Sequence, residues 1–178
     1  IKSVDLSEVV VTGSYRHAQE KKTTLTLELF QKDYLNRHFT GNLVQTLKNV
    51  PGVHSMDIGA GFSKPMIRGL GFNRIAVSEN GIKQEGQQWG ADHGLEIDAF
   101  NVDEVRILKG PSSLFYGSDA MGGVIEILPL LPQKENRFFG EAALLGKSVN
   151  GTVGGSLMLG IEKNAWLVRV RFSEQHYG

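Results

Sequence analysis

Along residues 166–173 apolar and polar positions alternate. Trp166, Val168, Val170 and Phe172 fall on one side of an extended strand, and Leu167, Arg169, Arg171 and Ser173 fall on the other. Val153, Leu157, Leu159 and Ile161 repeat the pattern against Thr152, Ser156 and Glu162. Asn150-Gly151 predicts a type I′ turn joining this run to residues 138–149. The expectation is a meander of three strands, one face suited to lipid and the other to water. Strands of about ten residues with this alternation mark a transmembrane β-barrel, and a soluble meander carries the same pattern. Three strands cannot close a barrel, and their free edge invites aggregation, so further barrel strands are expected to complete the sheet.

Upstream the period changes. Leu43, Val44, Leu47 and Val50 recur at helical spacing until Pro51-Gly52 stops the run. Residues 74–78 predict a strand entering the turn Glu79-Asn80-Gly81-Ile82, where Asn-Gly supplies the positive φ angles of a tight hairpin. Residues 102–108 and 123–128 predict two more strands, with a short helix over 111–117 between them. Glycines 69, 71, 81, 110, 117, 122 and 123 suit tight turns and close backbone approach. Near the start, the β-branched run Val9-Val10-Val11-Thr12 predicts an isolated strand on a flexible leash. Three zones follow: 1–22, an N-terminal segment and linker; 23–132, a small α+β domain with a mixed sheet and short helices; and 133–178, the antiparallel strands.

Composition narrows the chemistry. The formal net charge is zero and no basic stripe is present, so nucleic acid is not an expected partner. Cysteine is absent, which excludes disulfides, thiol redox chemistry and thiolate metal sites. No apolar stretch approaches the roughly 20 residues of a transmembrane helix, and Ile1-Lys2-Ser3-Val4-Asp5 lacks a signal-peptide core, so any export signal is expected to have been removed. No phosphate-cradling loop and no Ser/His/Asp spacing stands out. The most distinctive stretch is residues 84–96, a Gly- and Gln-rich loop holding Trp89, Asp92, His93 and Glu96. Asp92, His93 and Glu96 carry donors that a borderline transition metal accepts, without the spacing of a standard zinc motif. The alternative for His93 is a loop histidine bonded to a neighbour, and for Trp89 packing beneath the loop.

Five pieces occur in a telling order. They are Leu43-Val44-Gln45-Thr46-Leu47-Lys48-Asn49-Val50-Pro51-Gly52-Val53; Met66-Ile67-Arg68-Gly69-Leu70; Arg74 through Ile82; Val105-Arg106-Ile107-Leu108-Lys109-Gly110-Pro111-Ser112-Ser113-Leu114-Phe115-Tyr116-Gly117; and Met121-Gly122-Gly123-Val124-Ile125-Glu126-Ile127. Together they resemble the plug of the TonB-dependent outer-membrane receptors. Asn80 stands where that family more often has Asp, and Lys109 where it usually has Arg.

The resemblance implies a plug followed by the first strands of a barrel of about 22 strands. It implies a nutrient transporter of the bacterial outer membrane, not an enzyme, needing no bound cofactor and carrying a metal or metal chelate such as a siderophore or haem. Its implied partners are the periplasmic domain of TonB, its own barrel and lipid. Glu8, Val9, Val10, Val11, Thr12 and Gly13 stand where the family keeps its TonB box, as an edge strand that pairs with the partner. Arg68, Arg106 and Lys109 are implied to lock the plug to carboxylates of the barrel wall. Gln88, Trp89, Asp92, His93 and Glu96 are implied to face the substrate, the last three as possible metal donors. The rival readings are a soluble periplasmic binding or adhesion module and a metalloenzyme built around Asp92, His93 and Glu96.

Overall fold

The computed structural model describes residues 26–59, 61–90, 92–110, 113, 116–133, 135–164 and 166–178. A five-stranded mixed sheet organises the first part, built from β1 (Thr26–Gln31), β4 (Ile75–Glu79), β5 (Ile82–Lys83), β6 (Glu104–Lys109) and β7 (Gly123–Leu128). Its order is β1-β6-β7-β4-β5, with β4 parallel to β7 and the other pairs antiparallel. A separate hairpin joins β2 (Val53–Asp57) to β3 (Ser63–Ile67).

Two short helices, α1 (Lys32–Arg37) and α2 (Leu43–Thr46), cover one face of the five-stranded sheet. Alone, a single turn such as α2 would not persist in water. It is held by the Asn42 side chain, which accepts from the Gln45 N–H at 3.1 Å, and by burial of Leu43, Val44, Leu47 and Val50. These pack on Ile75, Val77, Val105, Ile107, Ile125 and Ile127, the alternate residues that β4, β6 and β7 turn to that side. A smaller cluster of Ala76, Leu108, Ala120 and Val124 fills the opposite face. The α+β architecture and the mixed sheet agree with the sequence reading.

Asn80 (φ 53°) and Gly81 (φ 82°) close β4 onto β5 with Glu79 opposite Ile82, the expected two-residue turn. The expected type I′ turn at Asn150-Gly151 does not form. Lys147 pairs with Thr152, so residues 148–151 make a four-residue loop in which only Gly151 has positive φ, at 61°. The Thr152 hydroxyl donates to Asn150 Oδ1 at 2.8 Å and engages the side chain in this wider loop. The helix expected over 111–117 falls largely outside the described residues.

The second part is an antiparallel meander of β8 (Arg137–Lys147), β9 (Thr152–Lys163) and β10 (Trp166–His176), in the order β10-β9-β8. At 11, 12 and 11 residues, each strand is long enough to cross a bilayer when tilted. Burial alternates along all three strands. One face exposes Phe138 (73%), Leu144 (93%), Trp166 (79%), Val170 and Phe172, together with Val153, Leu157, Leu159 and Ile161. The other face turns Thr152, Ser156, Met158 and Glu162 inward.

Charge joins the meander to the α+β unit. Lys32, at the start of α1, lies 3.5 Å from Asp103 and 3.4 Å from Glu141 of β8. Asp103, just before β6, also accepts from Arg169 of β10, and Glu141 accepts from Arg171 Nη2 at 3.2 Å. Arg171 Nη1 donates to the Ser156 hydroxyl at 3.1 Å, while Ser173 donates to Asp98 Oδ2 at 2.7 Å. Partly buried pairs of this kind matter most when broken, because the surviving charge keeps its desolvation penalty.

Two predictions follow from these contacts. At Gly123 (φ 151°) a Cβ would stand 2.7 Å from the Leu108 carbonyl oxygen and 2.8 Å from Ile67 Cδ1, so Gly123→Ala is predicted to destabilise the sheet by at least about 2 kcal/mol. Faster hydrogen exchange at the β6 and β7 amides is the readout, and unchanged exchange would contradict the packing argument. Asp103→Asn is predicted to loosen the meander by about 2–4 kcal/mol. A double-mutant cycle with Arg169→Met is expected to show coupling of at least about 1 kcal/mol, and additive effects would contradict the ion pair.

Candidate functional site

Beyond β5 the chain makes a short helical turn, Gly86–Gln88, closed by the Gln88 N–H donating to the Glu85 carbonyl at 2.9 Å. The loop that follows carries Trp89, which is 64% exposed, and then Asp92 and His93, both exposed. Asp92 Oδ1 lies 3.0 Å from His93 Nδ1, and the Trp89 and His93 rings meet edge-on with centroids 6.2 Å apart. A hydrogen bond from its own backbone N–H and another from His93 hold the Asp92 carboxyl below the usual range. Trp89, Asp92 and His93 therefore present an aromatic surface, a carboxylate and an imidazole side by side.

The loop is attached to β3 at both ends. Lys64 is fully buried and donates to the carbonyls of Trp89 (2.6 Å) and Gly90. Its ammonium lies 4.8 Å from the Phe72 ring centroid. Burial lowers the Lys64 pKa, with the Asp92 charge opposing that shift. At the exit, the Leu95 N–H donates to the Ser63 carbonyl at 3.0 Å. A Cβ at Gly94 would stand 2.8 Å from Phe62 Cβ, so the approach to β3 requires glycine.

This anchoring corrects the expected metal triad. Among the described residues no three His, Asp or Glu side chains converge as ligands. Asp92 and His93 pair with each other, but buried Gly94 and Leu95 bring the chain alongside β3, and Glu96 emerges exposed without joining them. The metalloenzyme reading thereby loses its ligand set. Lys64 was missed because it precedes the motif-bearing residues 66–70, and an isolated lysine in a short strand has no sequence signature of burial.

Of the expected lock residues, Arg106 and Lys109 pair within the α+β unit. Arg106 Nη1 bonds Glu126 Oε2 at 3.1 Å, its cross-strand neighbour on β7. Burial, with Glu126 adding to it, pushes the nearby Tyr116 hydroxyl up to about 12. Lys109 donates to Glu28 of β1 at 2.8 Å and to the Pro51 carbonyl at 2.5 Å. Arg68 is exposed at φ 51°, its backbone N–H donating to the Gly52 carbonyl at 2.8 Å. Among the described residues none of the three reaches a carboxylate of the meander. The meander is instead met by Lys32 at Glu141, by Asp103 at Arg169 and by Asp98 at the Ser173 hydroxyl, and only the inward alternation of Arg169 and Arg171 hinted at these contacts. The segment Glu8 to Gly13 lies outside the described residues.

Comparison with known proteins places this geometry. The chain is 27% identical over 138 residues to the iron-regulated outer membrane virulence protein of Vibrio cholerae serotype O1, covering 74% of this chain and 21% of that protein. It is 30% identical over 122 residues to the hemin receptor of Yersinia enterocolitica, covering 68% and 17%. The chain thus spans about a fifth of the length of these relatives. Among solved structures, the ferric-catecholate import receptor Fiu of E. coli K12 superposes with a TM-score of 0.63 at 24% identity, over 86% of this chain and 21% of that one, a likeness of fold. The model of the TonB-dependent receptor plug domain matches residues 19–124, more than half of the sequence, and the chain belongs to that family.

Proposed function

We propose that the chain forms the plug and the first wall strands of an outer-membrane transporter that imports a scarce nutrient, energised through TonB. The observation that carries this reading is the ion-paired seat of the α+β unit on a meander whose opposite face is apolar and exposed. In a bilayer that face meets lipid and the plug fills the lumen. As a soluble adhesion or binding module, the same chain would hold Phe138, Leu144, Trp166, Val170 and Phe172 in water, a large apolar patch of the kind soluble monomers avoid.

The clamped loop supplies the substrate-facing chemistry in this proposal. Trp89 offers a face for stacking on a porphyrin or an aromatic chelator, and the Asp92–His93 pair offers polar contact to a metal chelate. The cargo class draws on the hemin receptor and the iron-regulated outer membrane protein among the relatives, together with this loop chemistry. Glu8 through Gly13 serve as the box that adds a strand to TonB. Substrate binding favours release of that box, and the energised partner then pulls on it to open a path. No bound cofactor takes part.

Titration of a periplasmic TonB C-terminal domain against the intact receptor tests the energy coupling. Saturable binding to wild type and its loss in Val10→Pro are expected, because proline removes a backbone donor from the pairing strand. Absence of binding to wild type would contradict the proposal. In a panel of haemin, a ferric catecholate and cyanocobalamin, at least one ligand is expected to bind. Its affinity is expected to fall about tenfold in Trp89→Ala. Equal affinity in wild type and variant would remove the loop from the substrate site.

A further inference from the structure

We infer that Lys64 is a positioning residue: its ammonium fixes the entry of the Trp89–His93 loop, so that the indole, carboxylate and imidazole are presented in one arrangement. The inference rests on the reading of that loop as substrate-facing, and it assigns the charge of Lys64 to the loop backbone and not to a ligand.

Burying an ammonium on a strand is costly, and methionine would fill nearly the same volume without that cost. What methionine cannot supply is a donor. Lys64 gives N–H groups to two consecutive carbonyls, those of Trp89 and Gly90, and sits over the Phe72 ring. Its zero exposure keeps external ligand out of contact with the ammonium, whose donors go to the loop carbonyls.

The position of the attachment matters. Ser63 and Lys64 are neighbours on β3, and each holds one end of the same loop. Ser63 does so through its carbonyl at Leu95, while its hydroxyl donates to Asp57 of β2 at 2.7 Å. Asp92 and His93 lie between the two attachments, and Trp89 sits on the first. Both ends therefore refer to a single rigid hairpin. Without the Lys64 donors the exit stays fixed and the entry is released, so the spacing of the indole, carboxylate and imidazole is no longer set.

Hydrogen exchange on the intact receptor, without ligand, tests this directly by comparing wild type with Lys64→Met and Lys64→Arg. The expected result is loss of protection in the peptide spanning residues 86–96 in Lys64→Met, with β6 and β7 peptides unchanged. Recovery in Lys64→Arg is expected, since a guanidinium can again donate to both carbonyls. Unchanged protection at 86–96 in Lys64→Met would overturn the inference. So would protection lost across the whole plug, which would make Lys64 an ordinary core residue, or an arginine variant as loose as the methionine variant. Because no ligand is added, failure of the transport reading and failure of this inference are separate outcomes.

Discussion

The inner face of the meander is charged, and those charges need partners that only the α+β unit and the neighbouring strands supply. Arginine at 169 and 171 and glutamate at 141 and 162 all point inward, and the Arg171 and Glu162 side chains are almost completely covered. Period-two geometry leaves no choice about direction, since turning these groups outward would turn Val168, Val170 and Phe172 inward. Each inward charge must then be paired or pay for its desolvation. Arg137 meets Glu162 at 3.2 Å within the wall, while Asp103 and Lys32 of the α+β unit meet Arg169 and Glu141.

That pairing fixes how the plug lies. Lys32 follows β1 directly and Asp103 immediately precedes β6, and β1 and β6 are neighbours in the sheet. The corner where they meet is therefore pinned to the wall. The loop of Trp89, Asp92 and His93 is carried elsewhere, hung from β3 by Lys64 and Ser63. Contact with the wall and presentation of the loop thus use different elements of one small domain. Cross-strand pairs within the plug, Arg106 with Glu126 and Lys109 with Glu28, tie those elements together.

What the sequence revealed was whatever depends on near neighbours. The alternation over 166–173, the helical spacing of Leu43, Val44 and Leu47, and the Asn80-Gly81 turn are all local, and all appear in the structure. The same dipeptide chemistry misled at Asn150-Gly151, because a hydroxyl two residues beyond Asn150 engages its side chain. Ion-pair partners were not legible: that Arg106 faces Glu126 depends on strand register, and that Lys32 reaches β8 depends on how two units dock. Burial of Lys64 was equally hidden, since strand alternation says which side a lysine takes but not what lies there. Motif order identified the family when each motif alone was weak.

On this reading the outer face of the meander meets lipid while the loop lies in the lumen, and Trp166 and Trp89 stand in these separate places. The measurement is fluorescence quenching of the intact receptor in bilayers of brominated phospholipid, comparing wild type with Trp166→Phe and Trp89→Phe. Trp166→Phe is expected to lower the lipid-quenchable emission by the share of that one indole, whereas Trp89→Phe leaves the quenchable component unchanged. Equal quenchable emission in wild type and Trp166→Phe, or a fall in Trp89→Phe, would contradict that placement.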